Sequence, residues 1–228
     1  MEALDVGLSG IIEYSLPVVS EFNGGKYYSD LFLISGGNQS YKTTLATEIV
    51  SCVCKSIRCS EVVWIDCSMK FPIDLIKIKG FDLDKFSVFK CRSSEEILFC
   101  LEKVAHMMDN ADNMFKVFVV DDINSNFWLD RLSNNGIQKK MRNLVERLVS
   151  VYGLIGVITS QDIVDFDQWY VSPVVSYQII KTFQINNGQG IAVSGSNNYS
   201  FKITNNREIQ WGKQVSNVEE TNYGENDE

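Results

Sequence analysis

Short apolar runs, each followed by residues at helical spacing, recur from residue 31 to residue 160 and constrain the fold more than any other feature of this chain. The runs at 31–35, 61–66, 86–91, 116–121 and 154–160 are rich in β-branched and aromatic residues. They are almost continuously apolar, as strands covered on both faces are. Between them, Leu45, Ile49, Val53 and Ile57 recur at spacing four over 42–57. Ser93 and Glu96 form a capping box ahead of the stripe Ile97, Leu101, Val104, Ala105 and Met108. Over 137–151, Ile137, Met141, Leu144, Val145, Leu148 and Val149 share one side, with Lys139, Lys140, Arg142, Glu146 and Arg147 elsewhere. Strand and helix in strict alternation predict an α/β domain with a mostly parallel sheet and helices on both faces. After residue 176 only strand patterns remain, at 178–185, 190–194, 199–204 and 207–211, separated by the turn-forming NNGQG, SGSNN and TNN. They predict C-terminal antiparallel strands, a meander completing the same sheet. One core domain over 31–212 is expected, after a short N-terminal segment (1–30) and before an acidic, disordered tail (213–228).

Composition then narrows the chemistry. A hydrophobic share of 45% supplies a large core. No apolar stretch approaches the length of a membrane span, and the N-terminus lacks the basic start of a secretory signal, so a soluble intracellular protein with no membrane partner is expected. His106 is the single histidine, which leaves multi-histidine metal sites and histidine-based triads without material. It falls in an apolar helical pattern and is expected to be structural. Cys52, Cys54, Cys59, Cys67, Cys91 and Cys100 form no C-x-x-C pair, so reduced core thiols are expected rather than a zinc ribbon. Net charge is −8, and the last eleven residues, VEETNYGENDE, carry five carboxylates and no base. Such a chain touches nucleic acid only through a local patch or beside a basic partner.

The first strand runs into Gly36-Gly37-Asn38-Gln39-Ser40-Tyr41-Lys42-Thr43-Thr44 and then a helix. A phosphate-binding loop needs backbone N–H groups turned inward, a lysine for the outer phosphates and a hydroxyl for magnesium. Gly36, Ser40, Lys42, Thr43 and Thr44 supply those groups at the required spacing. Tyr41 departs from the pattern, standing where the glycine before the lysine is usual, and Gln39 replaces another common glycine. An ordinary strand-to-helix turn is the plainer alternative. The second half of such a site is an aspartate closing an apolar strand, and the strand 116–121 ends in Asp121. Thr43 and Asp121 are thus the candidate magnesium ligands. The strand ending Thr159-Ser160-Gln161 offers an amide that either senses a terminal phosphate or caps its strand.

A hydrolytic base is missing. In ATPases of the RecA type a carboxylate lies two residues beyond the strand that follows the phosphate loop; here that position is Ser68. A hydroxyl of ordinary acidity is a poor general base. Asp66, two residues earlier, is expected by strand alternation to point to the other face. Slow hydrolysis or none is therefore expected.

The loop at Gly36, the strand end at Asp121 and Gln161, in this order, resemble the RecA-type recombinase family, and within it the eukaryotic paralogues of the strand-exchange recombinase. Asp121-Asp122-Ile123-Asn124-Ser125-Asn126-Phe127-Trp128-Leu129-Asp130-Arg131, Val63-Trp64-Ile65-Asp66 with Phe71, and the hairpin at 199–211 carry the likeness, which spans about residues 25–212. No counterpart of the family's small N-terminal helical domain is expected in the residues before the first strand. The resemblance implies a three-layer RecA-like core and an ATP and magnesium site at Lys42, Thr43, Asp121 and Gln161. It also implies assembly with other recombinase paralogues in a hetero-oligomer, and work on single-stranded DNA in the nucleus during homologous recombination repair. DNA contacts would come from loops near 133–137 and 162–176; the latter is acidic, which speaks against DNA binding by the chain alone. Trp169 and Tyr170 either stack on bases or pack against protein. The competing expectation is a nucleotide-free RecA-fold scaffold in another complex, such as an Elongator-like ring acting on transfer RNA.

Overall fold

The computed structural model describes residues 31–37, 40–57, 61–110, 115–124, 135–161, 174–183, 189–194, 197–205, 207 and 209–214. The expected N-terminal segment, nearly all of the tail, Gln39, Cys59, the Phe127–Arg131 likeness, Trp169 and Tyr170 lie outside them.

Nine strands form one sheet: β1 (Leu31–Gly36), β2 (Glu61–Asp66), β3 (Phe86–Lys90), β4 (Phe115–Asp121), β5 (Ile155–Ser160), β6 (Val174–Phe183), β7 (Gln189–Ser194), β8 (Asn197–Ile203) and β9 (Ile209–Gln214). Their order is β3-β2-β4-β5-β1-β6-β7-β8-β9. The helices are α1 (Lys42–Ile57), α2 (Ile73–Ile78), α3 (Ser94–Asn110) and α4 (Asn135–Ser150), with a 3-10 turn at Leu83–Lys85 before β3. The pattern in sequence marks β1 to β5 and the three long helices. It misses α2, which at six residues is too short to display a period.

The C-terminal strands differ in one respect from expectation. β6 pairs parallel with β1, from Leu31↔Val174 to Gly36↔Ile179, so the antiparallel meander begins only at β7. The chain between β5 and β6 spans 161–173, long enough for a crossover past β1, whereas short turns return a strand antiparallel. β9 reaches Gln214, beyond the expected core boundary at 212.

Strand parity sorts the core into two layers. Phe32, Ile34, Trp64, Val117, Val119 and Val157 face α1, which presents Leu45, Ala46, Ile49, Val50 and Val53. Ile76 of α2 and Tyr199 and Phe201 of β8 join that layer. Leu31, Leu33, Val63, Ile65, Phe118, Val120 and Ile158 face α3 and α4. Both faces of the parallel strands are therefore covered, and burial of each such side chain stabilises by about 1.5–3 kcal/mol. Half of the capping box forms, with the Glu96 amide donating to Ser93 Oγ (3.2 Å), while the Glu96 carboxylate reaches one residue further back and accepts from the Arg92 amide (2.6 Å). His106 leaves the buried stripe of α3, contrary to expectation; it is exposed and bonds to Asn110 one turn on. Cys54, Cys67, Cys91 and Cys100 are buried and Cys52 is half-buried. Among the described residues no helix is long and apolar enough to cross a membrane.

Gly156 shows how closely the second layer packs. A Cβ there would lie 2.7 Å from Phe118 Cζ and 2.8 Å from Leu31 Cδ1. Both neighbours are fully buried, so neither ring nor methyl has room to retreat. Gly156→Ala is expected to destabilise the protein by about 1–3 kcal/mol through overpacking, measured by urea denaturation. An unchanged midpoint would mean this layer is looser than its contacts indicate.

Candidate functional site

The strand order places β5 between β1 and β4. The carboxyl ends of these three parallel strands therefore open on one edge of the sheet, where α/β folds bind their ligands. Parity brings Asp121 of β4 and Thr159 of β5 to the α1 side, the same side as the first turn of α1.

Asp121 is the centre of this edge. Thr43 Oγ1 donates to Asp121 Oδ1 and Oδ2, each at 3.0 Å, and Thr159 Oγ1 donates to Oδ1 at 2.6 Å. Lys42 Nζ donates to the carbonyls of Gly36 (2.9 Å) and Gly37 (2.8 Å), so its ammonium lies within the curve of the loop. Thr47 Oγ1 donates to the Thr43 carbonyl at 2.8 Å, tightening the first turn of α1. Ser40 Oγ is buried with no hydrogen-bond partner. Thr44 is half-buried in the same turn. Four predicted residues, Gly36, Lys42, Thr43 and Asp121, are thus brought together, with Ser40 and Thr44 in the same loop and turn.

Tyr41 explains how the loop survives without its glycine. Its φ is +64°, the left-handed conformation that glycine adopts freely. A non-glycine residue there costs about 1–2 kcal/mol. The ring packs against the α1-side core and offsets part of that cost. The Tyr41 carbonyl still accepts the Leu45 amide at 2.9 Å, so α1 begins where a phosphate loop requires.

Two residues at this edge escape the sequence reading. The same parity that buries Val157 aims Thr159 at Asp121. Asp122 is the second. It is 6% exposed; the Gln161 side chain and the backbones of Asn124 and Gln161 hydrogen bond to its carboxylate, and Lys42 lies near enough to act on it electrostatically. Gln161 therefore serves Asp122. The doublet Asp121-Asp122 is the signal that could have found it. Burial raises the Asp122 carboxyl above its usual range, and the Gln161 bond and the Lys42 charge pull it partway back.

Asp66 corrects an expectation. It is the register partner of Asp121, and paired residues share a face, so it does not point to the opposite side. Its carboxylate instead accepts from Ser68 Oγ (3.0 Å), the Lys70 amide (3.1 Å) and the Phe71 amide (2.9 Å). It ties down the turn after β2. Ser68 donates its hydroxyl proton to that bond, and the Asp66 carboxylate is engaged by the turn.

The donor set fits a magnesium-bound nucleotide. A hydroxyl and a carboxylate are hard oxygen ligands of the kind magnesium takes, and the orphaned Ser40 Oγ and the Lys42 ammonium suit phosphate oxygens. Burial pushes Asp121 up to about 6 from 3.8, against the hydrogen bonds from Thr159 and Thr43. The folded protein therefore holds a proton there more tightly than the unfolded chain does. The sign follows: stability falls as pH rises through that interval, and the full penalty stands above it. Asp121→Asn is expected to stabilise the ligand-free protein at pH 7 by about 1–3 kcal/mol, at about 1.4 kcal/mol per pKa unit. In urea denaturation that gain should shrink as the pH is lowered towards 4; a constant gain would contradict it.

No protein-family model matches the chain, and no curated protein matches it. Solved structures do. A crystal structure of the RadB recombinase superposes with a TM-score of 0.62, covering 85% of this chain and 96% of that one at 18% sequence identity. At that identity the likeness speaks for the fold. The chain has the α/β fold of a RecA-like recombinase core.

Proposed function

We propose that this protein is a recombinase paralogue, a subunit that helps a strand-exchange recombinase assemble on single-stranded DNA during homologous recombination repair. Among the paralogues it resembles X-ray-repair cross-complementing protein two. The observation that carries the reading is the joined pair of Thr43 and Asp121 at the mouth of a RecA-like sheet, beside Lys42 and opposite a serine at position 68. Such a site is built to hold a magnesium nucleotide and poorly built to hydrolyse it.

Each group has a part in holding the ligand. Lys42 moves its ammonium from the Gly36 and Gly37 carbonyls towards the outer phosphates, and the Ser40 hydroxyl donates to a phosphate oxygen. Thr43 and Asp121 hold magnesium, which neutralises phosphate charge when bound. Water is not activated, because Ser68 is committed to Asp66 and Asp66 to the turn. Bound nucleotide then acts as a brace for the subunit, by mass action on the folded state.

DNA contact belongs to the assembled complex in this reading, because the chain is acidic and phosphate affinity comes from lysine and arginine. The work is nuclear, in company with other paralogues. Co-purification with mass spectrometry tests it: recombinase paralogues among the partners support it, and recovery with Elongator subunits favours the scaffold alternative. Single-stranded DNA binding by the recovered complex should weaken steeply with salt.

The nucleotide part has its own test. Calorimetry with ATP or ADP and magnesium should show binding by the wild type. Lys42→Ala should weaken it by at least about tenfold, equivalent to about 1.4 kcal/mol. Equal failure of both proteins discards the site.

A further inference from the structure

We propose that Asp122 stands in for a terminal phosphate, so that this site takes a nucleoside diphosphate in preference to a triphosphate. The inference rests on the nucleotide-site reading above and adds a selectivity to it.

In a phosphate loop the lysine reaches the outer phosphates, and a polar residue ending a neighbouring strand meets the terminal one. Here the strand-end amide is turned to a carboxylate of the chain, and the lysine, held by the Gly36 and Gly37 carbonyls, lies within electrostatic reach of the same group. Gln161 hydrogen bonds to Asp122 through its side chain and its backbone, and the Lys42 ammonium lies close enough to interact with the same carboxylate. Asp122 is 6% exposed, and its Oδ1 is buried with no hydrogen-bond partner. A buried carboxylate oxygen left without a donor is costly, and natural proteins keep few of them. It sits directly after Asp121, whose own carboxylate is engaged by Thr43 and Thr159.

The charge balance gives the selectivity. Lys42 acts on the Asp122 carboxylate, and the Asp121 carboxylate lies close enough to Asp122 to add its own charge to this edge. With magnesium bound by Thr43 and Asp121, the inner phosphates still have the loop, the ion and the lysine. A third phosphate brings added negative charge to the residues that Asp122 already occupies. It must displace the carboxylate from Gln161 and Lys42 or lie beside it, and like charges in a water-poor site repel strongly. The diphosphate asks for neither.

Calorimetric titration of the full chain with ADP and with ATP, each with magnesium, provides the test. Wild type should bind ADP more tightly than ATP. Asp122→Asn keeps the shape and the bond to Gln161 but removes the charge, and Asp122→Ser removes the carboxylate. Both should raise ATP affinity relative to ADP by at least about tenfold. Thermal melts without ligand confirm that each variant is folded, and the isosteric asparagine carries the test where the serine variant is not. Wild-type preference for ATP, or a ratio unmoved in the folded variants, overturns the inference and leaves the nucleotide site standing. Absence of binding by either nucleotide to wild type overturns the nucleotide reading itself, and this inference with it.

Discussion

Asp121 holds the functional edge of the molecule together. Its two oxygens take hydroxyl protons from Thr43 at the start of α1 and from Thr159 near the end of β5, so one carboxylate couples a helix and two strands. Its backbone carbonyl accepts the Cys67 and Ser68 amides from the turn after β2, which extends the same tie to the next strand. Taking a carboxylate to this depth is unfavourable, which is why its proton is held more tightly than usual. Buried charge without a counter-ion is rarely retained for stability alone. A divalent cation between Thr43 and Asp121 would turn that cost into attraction. Stability and ligand binding are therefore opposed at one residue, and the fold carries the imbalance in its core.

The departures from a standard phosphate loop have different physical weights. Tyr41 changes the residue but keeps the backbone, since the chain still takes a left-handed φ where glycine would sit. The cost is local and the loop geometry persists. Ser68 changes the chemistry, because a hydroxyl of ordinary acidity is a poor general base where a carboxylate would be a good one. Asp122 adds a second buried carboxylate at the same edge, beside Lys42 and Gln161.

The sheet explains why these groups meet at all. Six adjacent strands from β3 to β6 run parallel, so every carboxyl end opens on one edge. With α1 and α2 on one face and α3 and α4 on the other, water reaches the sheet chiefly at its edges and loop ends. The position of β5 between β1 and β4 lets residues distant in sequence, Lys42, Asp121 and Gln161, share one small volume. The superposition on RadB recombinase at 18% identity is consistent with this: the layered sheet tolerates wide replacement provided that apolar parity is kept.

Much of this was legible in the chain itself. Continuous apolar runs mark strands buried on both faces, spacing-four stripes mark α1, α3 and α4, and Lys42-Thr43 and Asp121 are recognisable because phosphate and magnesium chemistry demands those types at strand ends. Ser93 and Glu96 declare their cap locally, because the bonds they make lie within one turn. Non-local pairing was beyond reach. The parallel seating of β6 on β1 depends on where a long connection lands. The shared face of Asp66 and Asp121 depends on register between strands far apart in sequence. The partnership of Gln161 with Asp122 depends on what packs opposite each side chain. Periodicity reports which side of its own element a residue occupies; only the folded chain decides what it meets there.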